Sequence, residues 1–90
     1  MIKTEHHEMI INMGVFNYGS KKIANILELD HEYIEKEIQN KDSEINKLLQ
    51  KGCDLSDYVI DLKLFDLAKL GDLKALEKLD KRRKLQGKNA

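Results

Sequence analysis

The chain has 90 residues, with 16 Lys and Arg balanced by 16 Asp and Glu, 41% hydrophobic residues, five glycines, one cysteine and no proline. That length allows one domain, or a small domain with an arm. The lone cysteine excludes an internal disulfide, no apolar run approaches the roughly 18 residues of a membrane span, and the opening MIKTEHHEMI is too polar for a signal peptide. Leu, Ile, Lys and Glu dominate the sequence and, Ile apart, favour helix strongly, so an all-α fold in a reducing cytoplasm is expected.

Charge is spread unevenly. Residues 1–40 carry four lysines and seven acids, residues 41–78 seven lysines and eight acids, and residues 79–90 five basic residues and one acid. A mildly acidic head is therefore followed by a basic end, an asymmetry that points to nucleic acid or an acidic protein as the partner of that end.

In chain order, the first expected helix covers residues 4–13, with Met9, Ile10 and Met13 on one side at helical spacing. Gly14 and then Asn17-Tyr18-Gly19 are expected to interrupt it. Ser20 is placed to cap a second helix, Lys21–Glu28, which should bury Ile23, Ile26 and Leu27. Asp30 should cap a third helix, His31 to about Asn40, with Ile34 and Ile38 one turn apart on its inner face. Three short helices with a tight turn between the second and third make a trihelical helix-turn-helix head over residues 1–41. Asp42 or Ser43 should cap a fourth helix that buries Ile45, Leu48 and Leu49, and Gly52 should stop it. Asp54 then opens a fifth helix, Leu55–Leu70. Gly71 ends that helix and Asp72 caps a sixth, Leu73 to about Leu85, so that the two fold back as an antiparallel hairpin within residues 42–85. Residues 86–90 are expected to fray. Cys53 is expected to be a partly buried, inert thiol.

The fifth helix is apolar nearly all round, with Leu55, Tyr58, Val59, Ile60, Leu62, Leu64, Phe65, Leu67, Ala68 and Leu70. Such a helix is buried on more than one side. A chain this short has little to cover it, so other copies should do so, through Tyr58, Val59, Leu62, Phe65, Leu67, Leu73 and Leu76.

For nucleic acid, the second and third helices offer Lys21, Lys22, His31, Lys36, Gln39 and Asn40, and the end of the last helix offers Lys81-Arg82-Arg83-Lys84. Two features weaken the head as a solitary DNA reader. Glu28 stands where the turn usually has glycine, and the third helix carries Glu32, Glu35 and Glu37. Carboxylates facing phosphates repel them, and phosphate neutralisation supplies most non-specific affinity. The basic run also has a purely structural use, because cations complement the C-terminal dipole of a helix. Neither a metal site nor an enzyme is expected. His6 and His7 are adjacent, so on a helix they point about 100° apart and cannot chelate one ion together. Nor is there a nucleophile with its base, a phosphate-binding glycine loop or a carboxylate pair in an apolar setting.

The head segment YGSKKIANILEL followed by LKLFDLAKLGDLKALEKLDKRRK resembles the small subunit of a tailed-phage terminase. The resemblance rests on Gly19, Ile23, Ala24 and Leu27 in the head, and on Leu64, Ala68, Gly71, Asp72, Ala75 and Arg82-Arg83 in the hairpin. It implies a non-enzymatic protein of a bacterial host's cytoplasm. That protein would bind double-stranded viral DNA through its head, assemble into a homo-oligomer through its hairpin, and recruit the large motor subunit, with no cofactor. Only a short stretch follows the hairpin, so little partner-binding tail is expected. Two alternatives are a small dimeric helix-turn-helix regulator acting on operator DNA and a helical protein-interaction module. For the latter, LLQKGCDLSD and LAKLGDLKALEKL faintly resemble ankyrin-repeat phrases without the Thr-Pro-Leu-His phrase.

Overall fold

The computed structural model describes residues 2–89 in backbone and residues 2–87 in side chain. Among the described residues there is no strand. A 3₁₀ turn, Thr4–His6, leads into α1 (His7–Val15), followed by α2 (Ser20–Leu27), α3 (His31–Gln39), α4 (Glu44–Lys69) and α5 (Leu73–Asn89). The chain divides into two compact units, Met1–Ser56 and Asp57–Ala90, so α4 contributes to both.

The first unit is the head. Its core joins Ile10 and Met13 of α1, Ile23, Ala24 and Leu27 of α2, Ile34 of α3 and Ile45 of α4, with Tyr18, Tyr33, Ile38, Leu48 and Leu49 packed around them. Ile10, Ile23, Ile34 and Ile45 are essentially inaccessible to solvent. Burial at this level stabilises by about 1.5–3 kcal/mol for each such side chain. Two expected core residues lie outside it: Met9 and Ile26 are exposed, and Ala24 takes the inner position of α2. A residue as small as Ala24 lets α2 and α3 approach closely.

The turns share one device. At the ends of α1 and α2, and at the link between α4 and α5, a residue with positive φ closes the helix: Asn17 (φ 59°), Glu28 (φ 57°) and Gly71 (φ 98°). At each, the following N–H reaches back five residues, from Tyr18 to Met13, Leu29 to Ala24 and Asp72 to Leu67, which is the Schellman arrangement. Asn and Gly suit that left-handed position, whereas Glu does not. Glu28→Gly is therefore expected to stabilise the head by up to about 1 kcal/mol, read as a raised thermal midpoint by circular dichroism.

Caps follow the sequence in part. Asp30 accepts the Tyr33 N–H at 3.2 Å, and Asp72 accepts that of Ala75 at 3.0 Å. Ser43 caps α4, its Oγ accepting from the Asn46 N–H at 3.0 Å while donating to the Glu37 carbonyl. Ser20 is no cap. It is the first residue of α2, Gly19 precedes it as N-cap with no side-chain bond, and Ser20 Oγ instead meets His31 Nε2.

The larger differences lie at two glycines. Gly14 does not interrupt α1 and Gly52 does not stop α4; both are buried inside helices. A Cβ at Gly14 would sit 2.2 Å from the Leu49 carbonyl oxygen, and one at Gly52 2.0 Å from that of Ile11. These glycines mark a crossing of α1 and α4 with backbones in contact. Asp54, read as the start of a new helix, sits inside α4 and accepts a bond from Gln50 Nε2 at 3.1 Å. Cys53 is partly buried, with Sγ 3.6 Å from the Gly14 carbonyl. Beyond Gln86, where fraying is expected, α5 continues to Asn89; Ala90 lies outside the described residues.

Candidate nucleic-acid and assembly surfaces

In the head, α2 and α3 pack as a helix-turn-helix, with Glu28–Asp30 as the connection. Ile34 turns α3 inward, which leaves His31, Glu32, Glu35, Lys36 and Gln39 exposed. His31 is engaged: its Nε2 lies 3.0 Å from Ser20 Oγ and 3.1 Å from Glu35 Oε1. Of the expected DNA contacts on α3, Lys36 and Gln39 therefore remain available beside two carboxylates. Asn40 is the residue after α3, and its Oδ1 accepts the Asp42 N–H at 3.0 Å to form the turn into α4. Lys21 and Lys22 are exposed on the first turn of α2, where the positive end of the helix dipole adds to their charge.

In the second unit, residues 57–69 of α4 and helix α5 pair as an antiparallel hairpin. Arg82 bridges them, its Nε donating to Asp61 and its Nη2 to Asp57 at 3.2 Å, while Gln86 Nε2 donates to Asp61 at 3.0 Å. The basic run is thus divided in use. Arg82 holds the hairpin, Lys84 pairs with Asp80 at 3.1 Å, Arg83 lines a groove, and Lys81 makes no ion pair among the described residues. The Arg82 guanidinium, followed by the Gln86 amide, holds the Asp61 carboxyl below its ordinary range, against an opposing effect of burial. A carboxyl depressed in the folded state contributes stability above its unfolded pKa, about 3.9, and loses it as pH falls through the lower folded value. The hairpin contribution from this pair is expected to be flat from pH 5 to 8 and to disappear below about pH 4, with Asp61→Asn removing that acid dependence in circular-dichroism titrations.

Among the described residues of the second unit, only Ala75 is a buried apolar residue. One side of the hairpin forms a groove of about 580 Å³ in which Tyr58, Leu62 and Phe65 of α4 face Leu76 and Leu79 of α5. Lys69 lies over the Phe65 ring, 4.5 Å from its centre. Four residues of the expected interface, Tyr58, Leu62, Phe65 and Leu76, meet there. Val59 and Leu73 are exposed outside the groove, and Leu67 is partly buried. Leu79 was not singled out in the sequence, because its inward position depends on the phase of α5.

Against protein-family profiles, curated protein sequences and solved structures, the chain has no match. The resemblance to terminase small subunits accordingly stands on the quoted residues alone. Among the described residues no group of three or more His, Cys, Asp and Glu is placed to hold a metal ion, and no helix is long and apolar enough to cross a membrane.

Proposed function

We propose that this chain is a non-enzymatic, self-assembling DNA-binding protein of the phage DNA-packaging type, resembling a terminase small subunit. In it the hairpin makes the oligomer, the head meets double-stranded DNA, and the assembly recruits the large motor subunit. The observation that carries this proposal is the apolar groove of the hairpin, where Tyr58, Phe65 and Leu76 are about half exposed or more. Contiguous apolar surface of this kind marks an interaction site. Assembly would also offset the weakness of the head, because contacts too weak singly become effective when several copies bind one ligand.

The carboxylates Glu32 and Glu35 on the exposed side of α3 favour a second proposal, a helical module whose head meets protein rather than DNA. Light scattering of the purified chain over a range of concentration and salt, followed by fluorescence anisotropy with duplex DNA, separates the two. A closed oligomer that binds duplex in a salt-dependent manner supports packaging. A dimer selective for one operator sequence moves the assignment to a regulator, an oligomer indifferent to DNA favours the protein module, and a concentration-independent monomer removes the assembly role.

A further inference from the structure

A third surface lies at the junction of α1 and α2, outside the hairpin, and borders α3 through Glu35 and Gln39 of a shared cleft. The left-handed turn at Asn17 brings Phe16 and Tyr18 together, their ring centroids 5.5 Å apart and their planes inclined at 41°. Lys22 Nζ lies over the Tyr18 ring, 4.5 Å from its centre. Tyr18 packs against the core on its inner side, but Phe16 is 61% exposed. An exposed aromatic ring is thus supported by a neighbouring ring that carries a lysine ammonium on its face.

The local charge is consistent with this. Residues 9–27 contain Lys21 and Lys22 and no Asp or Glu, in a chain where acids are otherwise frequent. Neither lysine forms an ion pair among the described residues. The adjoining cleft, about 420 Å³, is lined by Asn17, Tyr18, Gly19, Ser20 and Gln39, and its one carboxylate, Glu35, is engaged by His31. The head therefore presents cations and exposed aromatic surface at the α1–α2 junction, and carboxylates on α3.

Cations beside an aromatic platform are the chemistry that holds unpaired nucleotides: phosphates neutralise on lysine and a base stacks on the ring. A duplex keeps its base faces stacked inside and has none to offer Phe16. We propose that the α1–α2 junction is a binding site for single-stranded nucleic acid, with a base stacked on Phe16 and neighbouring phosphates on Lys21 and Lys22. This goes beyond the duplex contact proposed above and rests on it only in assigning nucleic acid to the head.

The test uses the full chain with a labelled oligothymidylate of about 16 nucleotides and a duplex of equal length, followed by anisotropy across a salt series. The single strand is expected to bind more tightly than the duplex. Phe16→Ala should weaken single-strand binding about tenfold and Phe16→Tyr should leave it intact. The Lys21→Gln/Lys22→Gln pair should lower the slope of log affinity against log salt by about 1.4. Lys36→Ala, on α3 outside the cleft lining, should change neither. Phe16, Lys21 and Lys22 are exposed on the surface, so the variants should keep the wild-type circular-dichroism spectrum. Single-strand binding that is indifferent to Phe16 overturns the site. So does duplex binding that depends on Lys36 but not on Phe16, although that result leaves the packaging proposal standing. Binding to neither oligonucleotide overturns the site together with the DNA-binding half of that proposal, while the oligomeric mass still judges the other half.

Discussion

Gly52→Ala is expected to destabilise the head by about 3 kcal/mol or more, even though alanine is the better helix former by about 1 kcal/mol. A methyl at position 52 would lie 2.0 Å from the Ile11 carbonyl oxygen, 2.8 Å from the Val15 nitrogen and 2.9 Å from the Gly14 Cα. All three are backbone atoms, so no rotamer change relieves the clash and α1 as a whole must move off α4. Gly14→Ala meets the same contact from the other side, through the Leu49 carbonyl. For a domain of this size each kcal/mol moves the thermal midpoint by roughly 4–8 °C, so either variant should lower it by more than about 10 °C in a circular-dichroism melt. Gly87→Ala is the control: that residue is also helical, but a Cβ there meets nothing within 4 Å. It should be neutral, or stabilising by up to about 1 kcal/mol. A Gly52→Ala protein as stable as wild type would mean that α1 and α4 do not cross in contact.

The same two glycines mark where the sequence misleads. Gly52 follows a lysine and precedes Asp54, so it has the flanks of a helix stop and of a new start. A glycine that lets two backbones touch carries no different local signal, because its reason lies on a helix some forty residues away. Gly71-Asp72 was legible since its cause is local: the glycine closes one helix and the aspartate caps the next. The inner faces of α1 to α3 were legible in outline through Ile10, Met13, Ile23 and Ile34. Met9 and Ile26 were misplaced by about one position of helical phase. The use of Arg82 could not be read from Lys81-Arg82-Arg83-Lys84, because its partners Asp57 and Asp61 lie 25 and 21 residues away. The pairing of Phe16 with Tyr18 is not legible for a related reason: on a helical pattern they are loop residues, and only the reversal at Asn17 makes their rings neighbours.

The excess of apolar residues in α4 is legible in the sequence, and the groove they line leads to the other large effect. Leu62→Glu/Phe65→Glu is expected to weaken self-association at least about a hundredfold, with the helical circular-dichroism signal of the isolated chain unchanged. Both side chains are more than two-fifths exposed and lie across from Leu76 in the groove, so carboxylates placed there are hydrated in a single chain. In an assembly that covers the groove the same two charges would be desolvated beside Asp61, which already lines it. Lys69 and Arg83, the cations of the groove lining, would offset that desolvation cost only in part. The hairpin itself should survive, since the bonds of Arg82 to Asp61 and Asp57 and the buried Ala75 still join the two helices. Light scattering of wild type and variant over the same concentration range reads the result. If the variant keeps the wild-type mass, the groove is not the assembly surface, and Val59, Leu70 and Leu73 on the remaining exposed surface of the hairpin become the next residues to change. If it becomes monomeric and also loses DNA binding while Lys21, Lys22 and Phe16 are intact, then the affinity of the head depends on multivalency, as its acidic third helix implies.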